Sequence, residues 1–78
     1  MARKTIYCAQ GFWWRNGRRE PGVVHQFLNE ERAREGGEIL SLSADAVAGF
    51  SLTGEPDVDF WEDPVIIARY GDVPAEAA

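Results

Sequence analysis

The sequence WRNGRR at residues 14–19 decides how the first third of the chain folds. An Asn-Gly pair, here Asn16-Gly17, favours a type I′ turn, because both central positions of that turn need a positive φ. Runs rich in β-branched and aromatic residues flank the pair on both sides. The sequence therefore predicts a β-hairpin with strands at about residues 5–14 and 19–28.

A two-residue turn also determines which residues of the two strands face each other. It predicts that Cys8 lies opposite His25 and that Trp14 lies opposite Arg19. Pro21 cannot donate a ladder hydrogen bond, so the second strand is expected to be an edge strand or to be bulged there. Further predicted pairs are Ile6 with Phe27 and Gln10 with Val23, and the predicted core face carries Ile6, Cys8, Val23 and Phe27.

A helix is predicted to follow the hairpin. Asn29 is a favourable N-cap, and the two glutamates after it suit the positive end of a helix. Gly36-Gly37 costs a helix interior about 1 kcal/mol per glycine relative to alanine, so the helix either stops at Glu35 or continues for about two more turns. We prefer a helix over about residues 30–42, because an early stop would leave the next apolar residues in a strand without a partner.

Two further strands are predicted at about residues 47–53 and 65–70, where β-branched residues concentrate. The expected fold class is α+β (ββαββ), a four-stranded antiparallel sheet with one helix on one face. It forms a single domain over residues 1–78, with a frayed tail at residues 72–78. One helix covers one face, so the other face is expected to expose some of Tyr7, Trp13, Phe50 or their neighbours, and that face or its edge is expected to serve self-association or partner binding.

The charge of the chain is unevenly distributed. The net charge is −5, yet seven basic and four acidic residues precede Glu38, whereas one basic and nine acidic residues occur from Glu38 onward. The second half would repel nucleic acid and attract a basic partner surface. Cys8 is the single cysteine, and no apolar run is long enough for a signal or a membrane span, so we expect a cytoplasmic location.

Residues 53–64 (TGEPDVDFWEDP) combine carboxylates with aromatic residues in a predicted loop. Such a combination is typical of recognition surfaces. Trp61 is the predicted aromatic anchor; the alternative is a solvated loop in which Trp61 folds back as a lid over the core. The predicted partner-binding residues are Glu55, Asp57, Asp59, Trp61, Glu62 and Asp63.

The hairpin tip is an alternative binding site, because basic residues there are interleaved with aromatic residues that could stack on bases. The competing interpretation is an intramolecular cation–π stack of Arg on Trp. The predicted nucleic-acid-binding residues of this site are Trp13, Trp14, Arg15, Arg18 and Arg19.

Catalytic and metal sites are not expected. Cys8 and His25 are adjacent in the predicted register, but no Asp or Asn is placed to orient His25. One Cys and one His cannot fill a zinc shell, and the carboxylates of residues 53–64 lack the spacing of an EF-hand loop. We therefore predict no enzyme activity, no cofactor and no metal.

Three resemblances add expectations. The hairpin followed by FLNEERA at residues 27–33 resembles the entry of arm-type or AP2-like DNA-binding modules of phage integrases, which implies a three-stranded sheet that reads DNA; the acidic second half departs from that pattern. The motifs TGEP, WEDP and ARYG at residues 53–56, 61–64 and 68–71 resemble the endings of small uncharacterised bacterial and prophage proteins, and imply no activity. In size, acidity and single-sheet build, the chain also resembles anti-CRISPR proteins, many of which block a nucleic-acid-binding surface with acidic groups.

The favoured prediction is a non-enzymatic protein-binding module of phage or prophage origin. It would be an anti-CRISPR-like acidic inhibitor that docks on a basic nucleic-acid-handling complex. The alternatives are a DNA-binding accessory module that uses the hairpin tip, and a small structural or regulatory homodimer. Neither direct binding of nucleic acid nor a membrane is expected in the favoured case.

Overall fold

The computed structural model describes residues 3–73 as an α+β fold with the predicted ββαββ order. The elements are β1 (Lys4–Arg15), β2 (Arg18–Phe27), α1 (Glu30–Leu40), β3 (Ala46–Glu55), a 3-10 turn (Pro56–Val58), β4 (Phe60–Trp61) and β5 (Val65–Gly71). The strands lie in the order β2-β1-β3, and both β4 and β5 pair with the free side of β3. All pairs are antiparallel, and the sheet is curled into a half-barrel with α1 packed against it.

The predicted element bounds are close to the observed ones. Each of the four predicted strands begins and ends within two residues of its prediction, while the short β4 was not predicted. The hairpin turn has the expected conformation, since Asn16 and Gly17 have φ values of 53° and 78°. Residues 74–78 of the predicted frayed tail lie outside the described residues.

A bulge changes the hairpin register beyond the tip. Val24 pairs with Gln10 and Pro21 pairs with Phe12, so two residues of β2 lie opposite the single residue Gly11 of β1. A bulge adds one residue to a strand and reverses the faces of the residues that follow it. Trp14 opposite Arg19 and irregularity at Pro21 are therefore confirmed, but three predicted pairs are wrong: Ile6–Phe27, Cys8–His25 and Gln10–Val23.

Helix α1 begins as its sequence indicates. The Asn29 side-chain oxygen accepts a 2.9 Å hydrogen bond from the Arg32 backbone N–H and caps the helix. The helix runs through Gly36-Gly37, so the longer of the two predicted helices is correct, although it ends at Leu40. The tertiary contacts of the two glycines, described next, outweigh their low helix propensity.

The helix lies close to one face of the sheet. A methyl group on Gly37 would make ordinary contacts there, 3.4 Å from the Tyr70 ring and 3.6 Å from Val47, whereas one on Gly36 would clash with the Phe27 ring. The Phe27 ring lies against Gly36 on the same face. The prediction that Phe27 shares a face with Cys8 is therefore wrong, and its physical reason is the bulge.

The main apolar core lies on the opposite face of the sheet. Phe50, one of the aromatic residues considered for an exposed face, is 4% exposed there and so does not reach solvent. Val23, which was predicted to be in the core, is 73% exposed because the bulge displaces it from the regular ladder. The core consists of Cys8, Phe12, Ala46, Ala48 and Phe50, with Ile6, Leu52, Ile66 and Val73 packed against them.

Curling of the sheet closes this second face without a second helix. Arg19 on β2 and Asp72 after β5 come from opposite edges of the sheet, yet the Arg19 guanidinium lies 2.6 Å from an Asp72 carboxylate oxygen. Val73 follows Asp72 and packs against the core. A small chain thereby buries apolar residues on both faces of one sheet, which helps a domain of this size to fold alone.

Candidate functional site

The acidic segment is a braced turn, where the sequence predicted an open loop. β3 continues into the segment, the 3-10 turn follows, and β4 returns along β3 with Trp61 opposite Gly54. The Glu62 backbone N–H donates a 2.8 Å hydrogen bond to the Thr53 carbonyl oxygen and closes the return. Asp59 joins the 3-10 turn to β4 with a φ of 54°, a left-handed conformation that Asp adopts more readily than most residues.

Phe60 and Trp61 point in opposite directions, because consecutive strand residues alternate between the two faces. Trp61 is half-buried, with its ring against Gly54, as in the alternative in which it folds back on the protein. Phe60 is 51% exposed, and Val58 in the 3-10 turn is 60% exposed. Sequence reasoning missed these two residues; the available signal was that adjacent aromatic residues in a short strand must lie on opposite faces of the sheet.

The carboxylates of the segment differ in how far they are neutralised. Glu62 forms an ion pair with Arg3, and the hydrogen bond and charge of that carboxylate raise the pKa of Arg3. Asp57, Asp59 and Asp63 are exposed and form no ion pair within residues 3–73. We call this surface the acidic end; its residues are Glu55, Asp57, Val58, Asp59, Phe60, Glu62 and Asp63.

The acidic end and the hairpin tip lie at opposite ends of β1. Lys4 at the start of β1 pairs with Gly54 beside the acidic end, whereas Arg15 at its other end adjoins the hairpin turn. Twelve strand residues span about 40 Å, which is most of the 44 Å length of the molecule. The charge asymmetry of the sequence is therefore also a separation in space, although two ion pairs join basic residues of the first half to acidic residues of the second.

Two candidate residues of the hairpin tip are engaged within the protein. Trp13 is half-buried, and its Nε1–H donates a 3.1 Å hydrogen bond to the Ser43 carbonyl oxygen. The Arg15 guanidinium lies 2.6 Å from a Glu20 carboxylate oxygen. These contacts connect the tip to its own strand and to the turn after α1.

The other arginines of the tip differ from each other. The Arg19 guanidinium pairs with Asp72 and lies 5.1 Å from the centre of the Trp14 ring, which is the intramolecular cation–π stack considered from the sequence. Trp14 remains 54% exposed. Arg18 is exposed and forms no ion pair with any residue between 3 and 73.

Cys8 and His25 are not neighbours across the hairpin. His25 lies opposite Ala9, on the face that α1 covers, whereas Cys8 lies in the core on the other face. Burial raises the pKa of the Cys8 thiol, so formation of a nucleophilic thiolate is disfavoured. The register shift thus separates the two side chains that the sequence placed together.

The described residues carry neither a group of metal ligands nor a membrane-spanning helix. Across residues 3–73, no three His, Cys, Asp or Glu side chains are grouped as metal ligands would be. No helix in the same range is long and apolar enough to cross a membrane.

The chain matches no protein-family model, no curated protein and no solved structure, so the resemblances seen in the sequence stay predictions.

Proposed function

We propose that the protein is a non-enzymatic protein-binding module whose acidic end docks on a basic surface that normally holds nucleic acid. One observation carries the proposal: a single braced turn presents three exposed carboxylates, with no ion pairs in the described part of the chain, beside two exposed apolar side chains. An anti-CRISPR-like inhibitor of a cytoplasmic nucleic-acid-handling complex would use such a surface.

The carboxylates would steer and orient the complex. Asp57, Asp59 and Asp63 can approach Lys and Arg side chains of a partner without first breaking an ion pair to residues 3–73. Complementary charge mainly raises the association rate and suppresses wrong partners. Glu62 would have to leave Arg3, and Glu55 is half-buried, so we expect smaller contributions from these two predicted residues.

Phe60 and Val58 would form the apolar centre of the interface. Aromatic side chains that become desolvated at the centre of an interface carry much of the binding energy. Trp61 would act indirectly, because its contact with Gly54 holds β4 in place and keeps Phe60 outward. A turn that is already ordered also loses less conformational entropy when it binds.

The hairpin tip is the weaker candidate. Nucleic acid bound there would have to displace the carboxylates of Glu20 and Asp72 from two arginines. Trp13, held by its hydrogen bond to Ser43, could not turn to stack on a base without losing that bond. The acidic end needs neither change, so it supports the proposal better.

Charge reversal at the acidic end is expected to abolish partner capture. Tagged protein serves as bait in a nuclease-treated lysate of the organism that carries the gene, beside the Asp57→Lys/Asp59→Lys variant. The control, Glu35→Lys/Glu38→Lys, makes the same change in net charge at exposed positions of α1. We expect capture to fall about tenfold or more in the first variant and to persist in the control, because only the first places like charges against the partner.

The identity and salt dependence of the captured protein decide the result. A nucleic-acid-handling protein that wild type and control retain, that the acidic-end variant loses and that salt releases would support the proposal. Equal capture by all three baits, or equal loss from both variants, would contradict it, because position on the surface would then be irrelevant.

A further inference from the structure

Strand β2 leaves one long edge of the sheet open. It pairs with β1 alone among the strands of residues 3–73. An open edge presents unpaired backbone N–H and C=O groups to any strand of matching length. Pro21 and the bulge interrupt the middle of β2, which leaves regular strand on both sides of them, at residues 18–20 and 24–27, that can accept a partner.

Apolar surface adjoins this open edge on the helix side. A groove of about 420 Å³ lies beside Trp13, Pro21 and Val23, and a second of about 290 Å³ lies between β2 and α1 beside Ile39. The two grooves meet at His25, which lines both. Val23 is 73% exposed and Ile39 is 68% exposed, so this seam is apolar surface in contact with solvent.

The charges at the two ends of β2 complement each other. Arg18 begins β2 and Glu31 lies in the first turn of α1, just beyond the other end of the strand. Both are exposed, and neither forms an ion pair within the described residues, whereas Arg19, Glu20 and Glu30 each have one. Arg18 pairs with Arg15, on the face of the sheet that α1 covers.

We propose that two copies of this chain associate by antiparallel pairing of their β2 edges about a two-fold axis. With the two-fold axis at the bulge, residues 18–20 of each copy lie opposite residues 25–27 of the other. Arg18 of one copy is then near Glu31 of the other, and the symmetry repeats the contact at the opposite end. Both helices then lie on the same face of the joined sheet, so Val23 and Ile39 of each copy are covered at the seam. A second copy fits this edge because its own β2 supplies the complementary charges.

The acidic ends stay free in this dimer. Each lies on β3 and β4, two strands away from the seam, and antiparallel pairing directs the two acidic ends in opposite directions. The proposal is therefore independent of the proposed function, since the two sets of variants concern different surfaces.

A charge-swap cycle tests the proposed dimer. The dissociation constant of the dimer is measured by sedimentation over a dilution series for wild type, Arg18→Glu, Glu31→Arg and the double variant. Each single change places like charges opposite each other at both ends of the seam, so we expect the dissociation constant to rise about tenfold. The double change restores the attraction and should return the dissociation constant to within about threefold of wild type. Circular dichroism of each variant verifies the fold, which these exposed positions should not alter.

A second pair of variants distinguishes the two open edges. Val24→Lys on β2, at a position that is 47% exposed, should dissociate the dimer, while Val65→Lys on β5, at a position that is 60% exposed, should leave it intact. A wild-type monomer at every concentration, single swaps without effect, a double swap that does not recover, or dissociation by Val65→Lys alone would each overturn the proposal.

Discussion

Phe50→Ala should lower the free energy of unfolding by about 3–5 kcal/mol, the range for removal of a buried aromatic side chain. Phe50 is 4% exposed and lies in the core on the face of the sheet that α1 does not cover. A chain of 78 residues has a total stability of about 4–12 kcal/mol. The substitution should therefore remove a large share of the stability, enough to unfold the protein at room temperature if the total lies at the lower end of that range.

Phe60→Ala is the matched control, because it removes the same side chain from a position that is 51% exposed. We expect a loss of about 1 kcal/mol or less, since the ring has few buried contacts to lose. Urea unfolding followed by circular dichroism measures both values. Similar losses for the two variants would mean that the curled sheet does not enclose Phe50.

Gly54→Ala should detach β4 from β3 and disrupt the acidic end. A methyl group on Gly54 would clash with the Phe60 carbonyl oxygen and lie 2.9 Å from Trp61 Cα, so backbone must move. Such overpacking typically lowers stability by about 1–3 kcal/mol. Because β4 has two residues and no other strand partner in the described region, we expect the strain to be relieved there by local opening.

The opening can be measured apart from global stability. Hydrogen exchange of the Glu62 amide, which donates to Thr53, should become as fast as that of an exposed amide, and partner capture should fall with it. Gly37→Ala is the control, because the new methyl group has ordinary contacts at 3.4 Å and the helix gains propensity. Slow exchange at Glu62 in the Gly54 variant would show that β4 does not depend on the close approach at Gly54.

Local signals in the sequence predicted the order and type of the elements well. The Asn16-Gly17 turn and the Asn29 cap depend on a few adjacent residues, and both have the predicted geometry. The continuation of α1 through Gly36-Gly37 was also predicted, because an early stop would have left the apolar residues beyond in a strand without a partner. The turn and the cap need no knowledge of distant contacts.

The faces of β2 could not be predicted in the same way. One extra residue at the bulge moves Phe27 beneath the helix and separates His25 from Cys8. Pro21 signalled an irregularity without giving its direction, since a bulge is decided by packing against β1 and α1. Likewise, burial of Phe50 depends on a sheet curled across both edges, which no local pattern encodes.

The composition of the acidic end was predictable, and its geometry was only partly so. The carboxylates lie on the surface that the sequence predicted. The return of β4, however, turns Trp61 toward the protein and leaves Phe60 exposed, so Phe60 replaces Trp61 as the aromatic residue available to a partner. The ion pairs of Arg3 and Arg19 join residues far apart in the sequence. Long-range pairs of this kind decide which charges remain available to a partner.

Competition with nucleic acid is the most direct test of the proposed function. The captured partner is purified and bound to fluorescent nucleic acid, and this protein or its Asp57→Lys/Asp59→Lys variant is added while anisotropy is recorded. We predict that the wild-type protein displaces the nucleic acid completely and that the variant does not. A ternary complex, in which the partner holds nucleic acid with unchanged affinity while this protein is bound, would contradict the proposal that the acidic end occupies a nucleic-acid-binding surface.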